Sequence, residues 1–87
     1  MKQIFFVEVT DTFGGEANYC WVHHFKVTAT TARGAIRKVR HEVGLPEARH
    51  AWSYDDQARY DFKKTAICAF VRHYEDGDEH FARVVSL

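Results

Sequence analysis

Eighty-seven residues form one domain near the lower end of the usual size range, able to bury only about 60–65 % of their unfolded surface. With 46 % apolar and 28 % charged residues the chain has enough apolar side chain to fold, which excludes disorder. Twelve acids balance twelve bases, so neither a charge mimic of DNA nor a nonspecific DNA coat is expected, and charge-based recognition must come from a local patch.

In chain order, QIFFVEVT (residues 3–10) is rich in β-branched and aromatic residues and reads as a strand. Residues 11–18 carry turn chemistry around the paired Gly14 and Gly15, and a second strand follows over 19–29, closing a hairpin with a fairly long loop. At Thr30 the period changes. Thr30 or Thr31 can cap a helix whose apolar face is Ala32, Ala35, Ile36, Val39 and Val43, and Gly44 with Pro46 stops it. The predicted helix spans residues 31–43.

Residues 47–64 read either as two short strands around Asp55, Asp56 and Gln57 or as an ordered loop. TAICAFVRHY (65–74) is a strand, Asp76-Gly77 marks a hairpin turn, and 80–86 is the last strand. The sum is an α+β domain over residues 1–87, an antiparallel sheet of four to five strands with one helix on one face, in the order ββα-β-ββ. No repeat, linker or low-complexity tract interrupts it.

Alternation puts Tyr19, Trp21, His23, Phe25 and Val27 on one face of the second strand and Cys20, Val22, His24 and Lys26 on the other. Phe5, Val7 and Val9 oppose Ile4, Phe6 and Glu8, while Ile67, Ala69 and Val71 oppose Cys68, Phe70 and Tyr74. One helix covers one face. The other is expected to keep aromatics at the surface unless a loop, a second copy or a partner covers it.

Two candidate binding sets emerge. Arg33, Arg37 and Arg40 recur at i, i+4 and i+7, with Lys38 and His41 alongside, and residues 26–50 hold six Lys/Arg against two acids. Such a stripe suits phosphates or an acidic protein surface; a solvated helix face explains it equally. Tyr19, Trp21 and Phe25 form an aromatic stripe that suits core, a protein interface or a base-stacking platform, though no RNA-binding signature flanks it.

Catalysis, cofactor and metal find no support in the sequence. No nucleophile elbow, phosphate-binding loop or paired-histidine zinc motif is present, and Gly14-Gly15 lies between strands, not ahead of a helix. Cys20-x-x-His23 and Cys68-x4-His73 have zinc-like pairs of ligands, but their odd spacings point the members to opposite faces of a regular strand. The acids at 75, 76, 78 and 79 read as a solvated turn. Both cysteines fall in apolar strand patterns, which predicts small buried hydrophobes, not a disulfide, and makes the cytoplasm the expected compartment. No apolar run reaches the about 18–20 residues that cross a bilayer.

The stretches VEVTDTFGGEANYCWV (7–22), GAIRK (34–38), ARYD (58–61) and ICAF (67–70) resemble small uncharacterised proteins of tailed bacteriophages and prophages. That resemblance implies action on host proteins, of anti-CRISPR or other anti-defence type; together with the neutral, catalytically empty sequence, the aromatic sheet face and the basic helix, it predicts a non-enzymatic protein-binding module that occludes a host protein or complex in the host cytoplasm. The alternatives are a nucleic-acid-binding domain using the basic helix and a homodimer burying Tyr19, Trp21 and Phe25.

Overall fold

The structure, a computed structural model, describes residues 2–72 and 85–87. β1 (Gln3–Phe13) and β2 (Glu16–Ala29) form a long antiparallel hairpin; α1 (Ala32–Val43) follows, then β3 (Ala48–Tyr54), β4 (Gln57–Phe62), β5 (Ile67–Arg72) and β6 (Val85–Ser86). Spatially the strands run β3-β4-β5-β1-β2-β6. All neighbours are antiparallel except β6, which pairs parallel to β2 through Phe25–Val85 and Lys26–Ser86. The architecture is the α+β class expected, a mainly antiparallel sheet with one helix.

Two details differ from the sequence reading. Residues 47–64 resolve in favour of strands: β3 and β4 are a hairpin joined by Asp55 and Asp56, with Asp55 in the left-handed region at φ 52°. The last strand, expected to pair back on its predecessor, lies in its described residues beside β2 instead, at the opposite side of the sheet from β4 and β5. The Asp76-Gly77 turn itself lies outside the described residues.

The helix begins where Thr31 Oγ1 accepts from the Gly34 N–H at 3.0 Å, and ends where Gly44 takes φ 72° and its N–H reaches the Arg40 carbonyl. Both caps satisfy backbone groups that a helix terminus leaves open. Its buried face is Ala32, Ala35, Ile36 and Val39, two alanines and two β-branched residues, which let the axis lie close to the sheet. Beneath it sit Phe5, Val7 and Val9 of β1, Phe25, Val27 and Ala29 of β2, Ala58, Tyr60 and Phe62 of β4, and Ala69 and Val71 of β5. This is the face that alternation assigned to Phe5, Val7, Val9, Ile67, Ala69 and Val71, and it is the core.

The opposite face keeps aromatics at the surface, with Tyr19, Trp52 and Tyr54 exposed, but its centre is closed. Glu8, Thr10, Cys68 and Asp61 lie there as cross-strand neighbours and are all buried. Part of the closure comes from the β1–β2 hairpin. Its pairing shifts between Thr10 and Thr12, Tyr19 takes φ 58°, and the turn at Gly14 and Gly15 carries positive φ at both positions. The tip thereby reaches across β5 to β4, where the Gly15 carbonyl accepts from Arg59 Nη2 at 2.9 Å. Arg59 also pairs with Asp61 at 3.3 Å, and His24 Nε2 donates to Glu8 Oε1 at 3.2 Å. The buried carboxylates of Glu8 and Asp61 are thus each partnered on this face, while the buried Arg59 Nε has no hydrogen-bond partner among the described residues.

Candidate protein-binding surfaces

The covering helix is much shorter than the hairpin under it. Twelve helical residues extend about 18 Å, whereas the regularly paired run of β2 from Val22 to Ala29 alone extends about 26 Å, and the strand continues past it to the bend at Tyr19. The helix therefore shields the half of β2 nearest Ala29 and stops short of the rest. Phe25 is 6 % exposed while Trp21, two alternate positions earlier on the same face, is 39 % exposed.

Where the helix runs out, a groove of about 280 Å³ opens. Val43 and Leu45, at the helix end and just after it, form one wall; Trp21 and His23 form the other; Val9, Phe25 and Ile67 make the floor. The Trp21 and His23 rings touch at a centroid distance of 5.5 Å and are tilted by 54°. The surface so formed is apolar and concave, with an indole at its rim.

The bend that sets Trp21 in place has an identifiable polar lock. The buried Thr10 hydroxyl donates to the Trp21 carbonyl at 2.8 Å and accepts from the Tyr19 N–H at 3.1 Å. Beside it Asp11 Oδ2 accepts from Asn18 Nδ2 at 2.8 Å, and Asp11 Oδ1 from the Cys20 N–H at 2.9 Å. These bonds, that from Asn18 foremost, hold the Asp11 carboxyl below the usual range, outweighing the opposing effect of burial. A non-glycine residue at positive φ is held only where its surroundings fix it, and this network does so for Tyr19.

The predicted aromatic stripe is consequently not one surface. Phe25 belongs to the core and reaches the groove only as part of its floor. Trp21 lines the groove. Tyr19, turned over by its positive φ, meets Phe70 of the opposite face edge-on at 6.3 Å. Alternation fails at this point because the hairpin is irregular there.

The helix arginines also divide. Lys38 Nζ donates to the Thr28 carbonyl and Arg40 Nε to the Pro46 carbonyl, so both tie the helix to its flanking segments. Arg33 and Arg37 are exposed and, among the described residues, engage no hydrogen bond or ion pair. Cys20 corrects a further expectation: it is exposed, with Asn18 Nδ2 3.1 Å from its sulfur, and only Cys68 is a buried hydrophobe. Burial pushes the Cys68 thiol up from its ordinary value. Both thiols are free. Among the described residues no three His, Cys, Asp or Glu side chains gather into a metal-holding group, and His73 lies outside them. None of the described helices is long and apolar enough to cross a membrane.

Sequence reasoning passed over Val43 and Leu45 as groove residues, and Trp52 and Tyr54 altogether. Trp52 and Tyr54 stand 48 % and 74 % exposed on β3. Their alternate spacing was the available signal, once β3 is taken as a strand. The chain matches no protein-family model and no curated protein, and no solved structure matches its fold.

Proposed function

We propose that this chain is a non-enzymatic protein-binding module that acts by occupying a surface of another protein. The groove between Trp21 and Val43 carries the reading. At about 280 Å³ it lies just under the roughly 300–1,000 Å³ of small-molecule sites, a size suited to one or two apolar side chains of a partner. A half-exposed Trp beside an apolar hollow is the kind of anchor on which binding energy concentrates. The likeness to tailed-phage proteins extends the proposal to its target: a host complex, of defence or nucleic-acid-processing type, blocked in the host cytoplasm. Affinity capture from bacterial lysate tests it. The wild-type chain should retain a protein that Trp21→Glu and Val43→Arg variants release. Recovery of no protein by the wild type, or equal recovery by the variants, counts against the groove.

A second reading, nucleic-acid binding, has one observation behind it: Arg33 and Arg37 lie one turn apart, exposed, with no partner among the described residues. Phosphate contacts of that kind give an affinity that falls steeply with salt. A low-salt gel shift abolished by Arg33→Glu with Arg37→Glu supports it, and absence of any shift removes it.

A further inference from the structure

β3 is the outermost strand on its side of the sheet, bonded to β4 and, among the described residues, to nothing on its other flank. Exposed edges are ordinarily blunted by proline, lysine, a bulge or a covering element. β3 has a bulge between Ala48 and His50, and past it the run His50, Ala51, Trp52, Ser53, Tyr54 has no such device. Every one of these residues is exposed.

The pairing with β4 fixes which way they face. His50, Trp52 and Tyr54 stand opposite Asp61, Arg59 and Gln57, on the face away from the helix; Ala51 and Ser53 stand opposite Tyr60 and Ala58, on the helix face. We infer that this edge pairs with the same edge of a second copy, antiparallel, with Trp52 on the two-fold axis. In that register Trp52 faces the partner's Trp52, His50 faces the partner's Tyr54, and Ala51 faces the partner's Ser53. Small residues meet on the helix face and aromatic ones on the other. Just beyond the regular ladder, the bulge residue Arg49 comes level with the partner's Asp55, a turn residue, and symmetry brings these opposite charges together twice. Both residues are exposed and engage no other charge among the described residues.

The neighbouring same-face registers are worse. Centring on Ala51 draws the bulge into the ladder and sets Asp55 against the partner's Glu47, a like-charge contact. Centring on Ser53 leaves three paired residues from each strand's end. The Trp52 register alone pairs the whole regular run from His50 to Tyr54 and leaves complementary charge flanking it at both ends. The result is one continuous sheet with both helices on the same side. The groove at Trp21 takes no part, so this inference stands apart from the proposed function.

Sedimentation equilibrium of the full chain, with circular dichroism to show that each variant folds, tests it. The wild type should dimerise. Arg49→Asp places like charges opposite each other twice and should raise the dimer dissociation constant about tenfold or more, with Asp55→Arg alone doing the same. Combining Arg49→Asp with Asp55→Arg should restore the affinity to within about threefold. Trp21→Glu should leave the dimer intact. A chain that stays monomeric at millimolar concentration overturns the inference. So does a dimer indifferent to Arg49→Asp, or one that Trp21→Glu dissociates.

Discussion

Residues 25–29 and residues 19–23 of β2 carry the same kind of apolar alternation on the same strand, yet they meet opposite fates. In the first half Phe25, Val27 and Ala29 are buried under α1. In the second, Trp21 is half-exposed on a groove wall and Tyr19 has crossed to the other face of the sheet. Two physical causes separate them: the helix is too short to cover the full hairpin, and the left-handed φ at Tyr19 breaks the alternation that covering would have used. Alternation proposes a buried face, while the reach of the covering element decides how much of it is buried.

The comparison breaks most visibly in stability. Phe25→Ala empties a site enclosed by helix and sheet and should cost about 3–5 kcal/mol, as large-to-small changes in packed cores do. In a domain of this size that corresponds to a fall in Tm of at least about 12 °C. Thermal unfolding of Phe25→Ala beside Trp21→Ala gives the test: equal losses would mean that the two halves of β2 are equally buried.

How far the sequence discloses this arrangement follows from the range of the interactions involved. Thr31 as cap, Gly44 as stop, and the core faces of β1 and β5 are local or periodic features, and the residues announce them. The turn of Tyr19 is different, because it depends on Thr10 and Asp11 reaching across a hairpin from eight or nine residues away. No window of alternation contains that. β3 and β4 were ambiguous because Arg, His, Asp and Gln interrupt their apolar positions. The parallel docking of Val85 and Ser86 beside β2 is a tertiary choice with no local sign, as is the burial of Glu8 opposite His24. The groove itself required knowing where the helix ends relative to the hairpin, so Trp21 was found but its neighbours Val43 and Leu45 were not.

The irregularity at Tyr19 can be relaxed through Asp11. Its carboxyl is held below the ordinary value of 3.8, first by Asn18 and then by backbone N–H groups, against an opposing push from burial. A lowered folded-state pKa means that the contribution to stability is complete above the ordinary value and is lost as pH falls through the folded one. Asp11→Asn removes that contribution, so the stability gap between wild type and variant should be constant near neutral pH and close below about pH 4. Urea titrations of both chains across that range measure it directly. In parallel, the NMR shifts of the Phe70 ring should lose the Tyr19 contact in the variant. A gap independent of pH, with Phe70 unmoved, would show that Asp11 does not hold the bend.

The smallest effect on stability is expected at the residue that matters most to the proposed function. Trp21 is 39 % exposed, and the bend around it is held by its carbonyl through Thr10 Oγ1, a bond that truncating the side chain leaves in place. Trp21→Ala should therefore cost about 1–2 kcal/mol, well below Phe25→Ala, because only part of the indole is packed and no buried network is broken. What it does remove is one wall of the groove, since Val43 and Leu45 then face His23 alone across a wider and shallower hollow. Stability and binding should thus separate at this position, unlike at Phe25, where both should fall together. Differential scanning calorimetry and partner capture on the same Trp21→Ala preparation read the two quantities side by side. A large loss of Tm would place Trp21 in the core with Phe25, and a preserved partner would remove the groove from the function.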